Sequence, residues 1–95
     1  MQGRNLVIVM EYTEKRIRKL VDDFDKYNYI DTPAAARRQD KCEQTLKTLG
    51  VKEKLFQNLE DAICLSDDDA RKGTAVEQAK RAIVKDLVAK RTISR

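Results

Sequence analysis

The chain contains no histidine and no tryptophan, and its three glycines, Gly3, Gly50 and Gly73, lie far apart. The absence of histidine removes the commonest general base and the commonest transition-metal ligand. None of the glycines lies between a strand and a helix, so a glycine-rich phosphate-binding loop is also excluded. We therefore expect a non-enzymatic protein with no catalytic residue, no metal, no cofactor and no small-molecule substrate.

The acidic residues do not change this expectation. The cluster from Asp22 to Asp31 lacks the glycine of a calcium-binding loop, and Ala34 stands where such a loop has its glutamate. A second cluster, Asp67–Asp69, is typical of the first turn of a helix, where negative charge meets the positive end of the helix dipole. Both clusters predict solvated helix surface.

Cysteine is scarce, and apolar residues form no long run. Cys42 and Cys64 are too few for a disulfide framework or a zinc motif, and both lie near apolar helix positions, which predicts buried reduced thiols. The apolar run Leu6–Met10 is far shorter than the roughly 20 residues of a membrane helix. No small-residue cleavage site follows it. These features predict a cytoplasmic protein without a membrane segment.

Charged residues, by contrast, make up 38% of the chain, with 20 basic and 16 acidic residues interspersed. The net charge of +4 permits nucleic acid or an acidic protein as partner and requires neither. Because there are only two phenylalanines and three tyrosines, the core must come from aliphatic residues, which is typical of packed helices. A chain of 95 residues has the size of one domain, so we predict a single helical domain over residues 1–95.

The N-terminal part of the chain carries one apolar stripe with alternating steps of three and four residues. Its members are Leu6, Met10, Thr13, Ile17, Leu20, Phe24 and Tyr27. The stripe predicts a helix from Leu6 or Glu11 to Asn28, and its length suits packing along a second copy of the chain as a homodimer. The branched residues before Met10 leave an alternative open, in which residues 5–10 form a short strand and the helix starts after Thr13. Residues 1–9 would be a dispensable extension if the chain starts at Met10.

Capping signals predict three further helices. Thr32 followed by Pro33 begins a helix that ends at Gly50, and the next helix covers residues 52–65. Ser66 begins a short helical turn, and the capping box Thr74–Glu77 begins a last helix that runs to about residue 92. The sequence thus predicts an all-α protein, a compact bundle of four main helices plus a short helical turn.

Residues 42–63 have the spacing of a helix-turn-helix, with Leu49-Gly50-Val51 as the turn. The residues expected to contact bases are Lys52, Lys54, Gln57 and Asn58, and those expected to hold phosphates are Arg37, Arg38 and Lys41. Leu46 is larger than the residue usual at its position, and acidic residues adjoin the base-contacting set. An ordinary corner between two helices explains the same spacing, and both interpretations stay open.

Two functions follow from these patterns. The first is a nucleic-acid-binding regulator or accessory factor, with DNA as the favoured target. The second is a protein-binding inhibitor or adaptor, of the anti-defence or immunity type, that docks on a larger acidic protein. In that case Tyr27 and Tyr29, which flank an irregular link, would anchor the interface, although they could instead plug the end of the bundle. The basic residues of the last helix, Lys80 among them, are dispersed, which is typical of solvated charge.

Overall fold

The computed structural model of the chain describes residues 12–93, and four helices make up most of this part. Their bounds are α1 (Glu14–Tyr27), α2 (Pro33–Thr48), α3 (Glu53–Ile63) and α4 (Lys72–Ile93). The predicted all-α bundle of four main helices is therefore confirmed, and no strand occurs within residues 12–93. The alternative strand over residues 5–10 lies outside the described residues.

Two helices begin directly after a threonine cap, of which the sequence identifies only Thr32. The first helix begins at Glu14, so the predicted start at Leu6 or Glu11 is wrong and the alternative start after Thr13 is the one observed. The Thr13 hydroxyl accepts a hydrogen bond from the Arg16 amide at 3.2 Å, and α1 begins at the next residue after Thr13. The Thr32 hydroxyl accepts from the Ala35 amide at 3.1 Å, with Pro33 as the first residue of α2. Each hydroxyl satisfies an amide that has no partner within its own helix.

The start of α4 differs from the prediction. This helix begins at Lys72, so Gly73 and Thr74 lie inside it and the predicted capping box is wrong. The Asp69 carboxylate accepts a hydrogen bond from the Arg71 amide at 2.8 Å and so serves the helix end in place of Thr74. Ser66 opens a turn, in which its carbonyl accepts from the Asp69 amide at 2.9 Å.

The core lies between α1, α4 and the inner faces of α2 and α3. The most deeply buried side chains are Ile17, Val21, Leu46, Leu59 and Ile83. The rings of Phe24 and Phe56 meet edge to face, with centroids 5.0 Å apart, and connect α1 to α3 across the centre. Since Ile17 and Phe24 are buried in the chain's own core, the described part of the N-terminal stripe already has its packing partners, which leaves the homodimer without support.

The principal helix contacts pair α1 with α2, α3 with α4, and α1 with α4. The sequence neighbours α2 and α3 are not principal partners, whereas a helix-turn-helix depends on close contact between its two helices. The turn between them is a Schellman motif: the Gly50 amide donates to the Lys47 carbonyl and the Val51 amide to the Leu46 carbonyl. Gly50 has a φ of +93°, as that motif requires. Helix capping thus explains the turn, and the helix-turn-helix is not confirmed.

None of the helices within residues 12–93 combines the length and the apolar character needed to cross a membrane.

Candidate nucleic-acid interface

The four residues predicted to contact bases are all exposed on or just before α3. Lys52 precedes the helix, and its Nζ lies 3.9 Å from Oδ1 of Asp86 on α4. Gln57 Nε2 donates to Asp61 Oδ1 at 2.9 Å, so its amide is already engaged. Lys54 and Asn58 are exposed, and Asn58 lines a groove between α3 and α4. A base-contacting α3 would have to release Gln57 from Asp61.

The three residues predicted to hold phosphates are exposed on α2. Arg37, Arg38 and Lys41 make no ion pair with any carboxylate of residues 12–93. Arg38 lies over the Tyr27 ring, with Cζ 5.9 Å from the ring centroid. These cations are therefore available to an anion in solution.

Packing of α1 against α2 adds two basic residues that the sequence analysis did not single out. Lys26 Nζ lies 5.7 Å from the same Tyr27 ring centroid, so this ring is flanked by a cation from each helix. Lys19 on α1 and Lys41 on α2 both lie near the buried Cys42 thiol, and so does the carboxylate of Asp23. Lys19 also pairs with Asp23 at 3.3 Å.

We call this surface the α1/α2 basic face. It consists of Lys19, Lys26, Arg37, Arg38 and Lys41. The spacing of Lys19 and Lys26, seven residues apart and so on one side of α1, was a signal in the sequence. The missing information was which helix α1 packs against, because only that contact brings its lysines beside those of α2.

Cys42 and Cys64 have different environments. Cys42 is buried between α1 and α2, as the sequence predicts, and this burial raises the pKa of its thiol. Cys64, at the end of α3, is exposed, so the prediction of burial is wrong there. The reason is that α3 ends at Ile63, and Cys64 is the capping residue at the exposed end of the helix.

The two tyrosines are also unlike each other. Tyr27 is half-buried at the end of α1, whereas Tyr29 is 52% exposed and Ile30 is 41% exposed. Lys72 Nζ lies 4.9 Å from the Tyr29 ring centroid. Tyr29 therefore does not plug the bundle, and the link between α1 and α2 presents two large apolar side chains to solvent.

Most aspartates of the two acidic clusters form ion pairs with basic residues of the same chain. Asp22 and Asp25 contact Lys80, and Asp67 pairs with Lys72 at 2.7 Å. Hydrogen bonds from Arg71 lower the pKa of Asp69 to about 2. In the part of the chain that the structure describes, no group of three or more cysteine, aspartate or glutamate side chains is arranged to hold a metal ion.

No model of a known protein family, no curated protein and no solved structure matches this chain.

Proposed function

We propose that this protein is a small non-enzymatic regulator or accessory factor that binds nucleic acid, with DNA as the favoured target, through the α1/α2 basic face. The observation that supports the proposal is the convergence of cations from two helices around the Tyr27 ring. Lys26 and Arg38 lie 5.7 and 5.9 Å from its centroid. Lys41 and Arg37 extend this face along α2.

Charge neutralisation supplies most of the affinity of such a surface. Each phosphate that pairs with a lysine or arginine releases condensed counterions, so binding weakens as salt rises. Cations with no carboxylate partner contribute most, because no internal ion pair has to be broken first. Tyr27, flanked by two cations, adds a half-buried aromatic ring beside the phosphate contacts.

The proposal is tested by fluorescence anisotropy with a labelled random-sequence duplex at about 50 mM salt, where phosphate contacts are strong. We expect Lys41→Ala to weaken binding by about fivefold, the effect of roughly 1 kcal/mol. The matched control is Lys85→Ala, which removes the same charge from an exposed position of α4. If both variants lose the same affinity for the duplex, the effect is one of net charge alone and the proposal is contradicted. The proposal is also contradicted if the wild-type protein does not bind the duplex.

Base contacts by Lys52, Lys54, Gln57 and Asn58 form a separate part of the proposal. Lys54→Glu combined with Gln57→Ala should abolish discrimination between duplex sequences and leave the helical content unchanged by circular dichroism. If the double variant still discriminates between duplex sequences as well as the wild type, α3 is not part of the interface.

A second function, a protein-binding inhibitor or adaptor, is favoured by the exposure of Tyr29 and Ile30. Large apolar side chains at an exposed link are typical anchors of protein interfaces. If this function holds, Tyr29→Ala will reduce capture of a partner protein while duplex binding stays at the wild-type level.

A further inference from the structure

A cleft separates α2 from α3 on the side where these two helices do not pack together. It contains two cavities of about 320 and 430 Å³, and both reach Glu60. Its floor is formed by Phe24, Phe56 and Ile63, each with 4% of its surface exposed, so the apolar area at the base of the cleft is small. We call this groove the α2/α3 cleft.

Carboxylates line both sides of the α2/α3 cleft. Asp40 and Glu43 stand on α2, and Glu53 and Glu60 stand on α3. Of these four, Glu43 pairs with Lys47 at 2.7 Å, and the other three make no ion pair with the described residues. The cleft therefore carries an excess of negative charge within a protein whose net charge is +4.

The cleft already holds one cation of the chain itself. Lys47 Nζ lies 5.7 Å from the centroid of the Phe56 ring. A hydrogen bond to Glu43 raises the pKa of Lys47, and the charges of Glu43, Glu60 and Glu53 raise it further. An ammonium group is thus held over an aromatic ring and attracted by carboxylates from both helices, which is an arrangement that stabilises cations.

We propose that the α2/α3 cleft binds a basic amphipathic helix of a partner protein. Its lysines and arginines would face the carboxylates of both rims, and one row of apolar side chains would contact the floor. Along α2 the lining runs from Ala36 to Lys47, a rise of roughly 17 Å, which accommodates about three helical turns. The negative rims repel phosphate, so this binding is distinct from that of the α1/α2 basic face. Gln57 also lines the cleft, so a helix seated there and a base contact by Gln57 exclude each other.

Cys64 is a natural reporter of whether the α2/α3 cleft is occupied. It lines the cleft and is exposed, whereas Cys42 is buried. In the folded protein, alkylation by a thiol reagent should therefore proceed mainly at Cys64, and a helix seated in the cleft should slow it.

The probe is a synthetic peptide of about 12 residues, three helical turns, with leucines on one face and lysines on the other. A peptide with glutamates in place of the lysines is its control. We expect the basic peptide to bind by fluorescence anisotropy and to slow Cys64 alkylation at least threefold at saturation, and the acidic peptide to do neither. The variant Glu53→Gln/Glu60→Gln should weaken binding of the basic peptide by about threefold to tenfold, as two exposed ion pairs would.

Asp31→Asn/Asp68→Asn is the matched control variant, since it also removes two negative charges and both aspartates are exposed outside the cleft. It should bind the basic peptide like the wild type. The proposal is overturned if the basic peptide gives no protection at about 1 mM, the limit of weak specific binding, or if Glu53→Gln/Glu60→Gln binds it unchanged. Protection of Cys64 by duplex DNA, or by raising the concentration of the protein alone, would assign the cleft to nucleic acid or to a second copy and would also overturn it.

Discussion

Lys80 is the most deeply buried charged residue of the described part of the chain, with 8% of its surface exposed. Its ammonium lies on the inner side of α4 and contacts two carboxylates of α1, Asp22 at 3.2 Å and Asp25 at 2.9 Å. Burial alone would lower the pKa of Lys80, but the hydrogen bonds to Asp25 and Asp22 outweigh it and the pKa is raised. Because Asp25 Oδ1 is buried without a hydrogen-bond partner among residues 12–93, Lys80 is the main compensation for the charge of that carboxylate.

We expect Lys80→Met to lower the free energy of unfolding by about 2 kcal/mol, since it leaves two carboxylates without their cation. A lysine whose pKa is raised by folding stabilises the protein fully at pH values below its ordinary pKa. This stabilisation is lost only as the pH rises through the pKa that the lysine has in the folded protein. Both pH 6 and pH 9 lie below the ordinary pKa of lysine. The difference in unfolding free energy between wild type and variant should therefore stay constant between about pH 6 and pH 9. Urea unfolding measures this difference, with Lys85→Met on the exposed face of α4 as the control. A variant as stable as the wild type would mean that the three groups do not act together.

At the scale of the elements, local signals predicted the helices well and their packing poorly. Thr32 and Gly50 act through neighbours within five residues, so the sequence shows both the signal and its effect. Which helix faces which depends on contacts between distant residues, and no short pattern encodes them. For that reason the turn at Gly50 suggested a helix-turn-helix, the burial of Lys80 was not foreseen, and the α1/α2 basic face was predicted only on its α2 side.

Gly50 and Gly73 form a pair that tests the account of the α2–α3 junction. A Cβ at Gly50 would meet nothing closer than Lys90 Nζ at 3.9 Å, so any cost of Gly50→Ala comes from its φ of +93°. We expect Gly50→Ala to destabilise the protein by about 1 kcal/mol. Gly73, inside α4 with open space around it, should gain about 0.5 kcal/mol on change to alanine. Thermal or urea unfolding compares the two variants, and a Gly50→Ala variant at least as stable as the wild type would contradict the Schellman turn at Gly50.

On the scale of the whole molecule, α2 divides two surfaces of opposite charge. Arg37, Arg38 and Lys41 belong to the α1/α2 basic face, while Asp40 and Glu43 line the α2/α3 cleft. The net charge of +4 does not reveal this division, because basic and acidic residues are interspersed along the sequence. They come to lie on different surfaces only because α2 packs against α1 and not closely against α3. We infer that a protein of this design can hold a nucleic acid on one side of α2 and a basic helix on the other.

The most direct test of the α1/α2 basic face is the salt dependence of duplex binding. The logarithm of the association constant is measured against the logarithm of salt concentration for the wild type and for Arg37→Ala/Arg38→Ala. Each lost phosphate contact should reduce the slope by about 1, so the account predicts a slope shallower by about 2, with the slope of Lys85→Ala unchanged. A double variant that keeps the wild-type slope would contradict the account, because its arginines would then contact no phosphate.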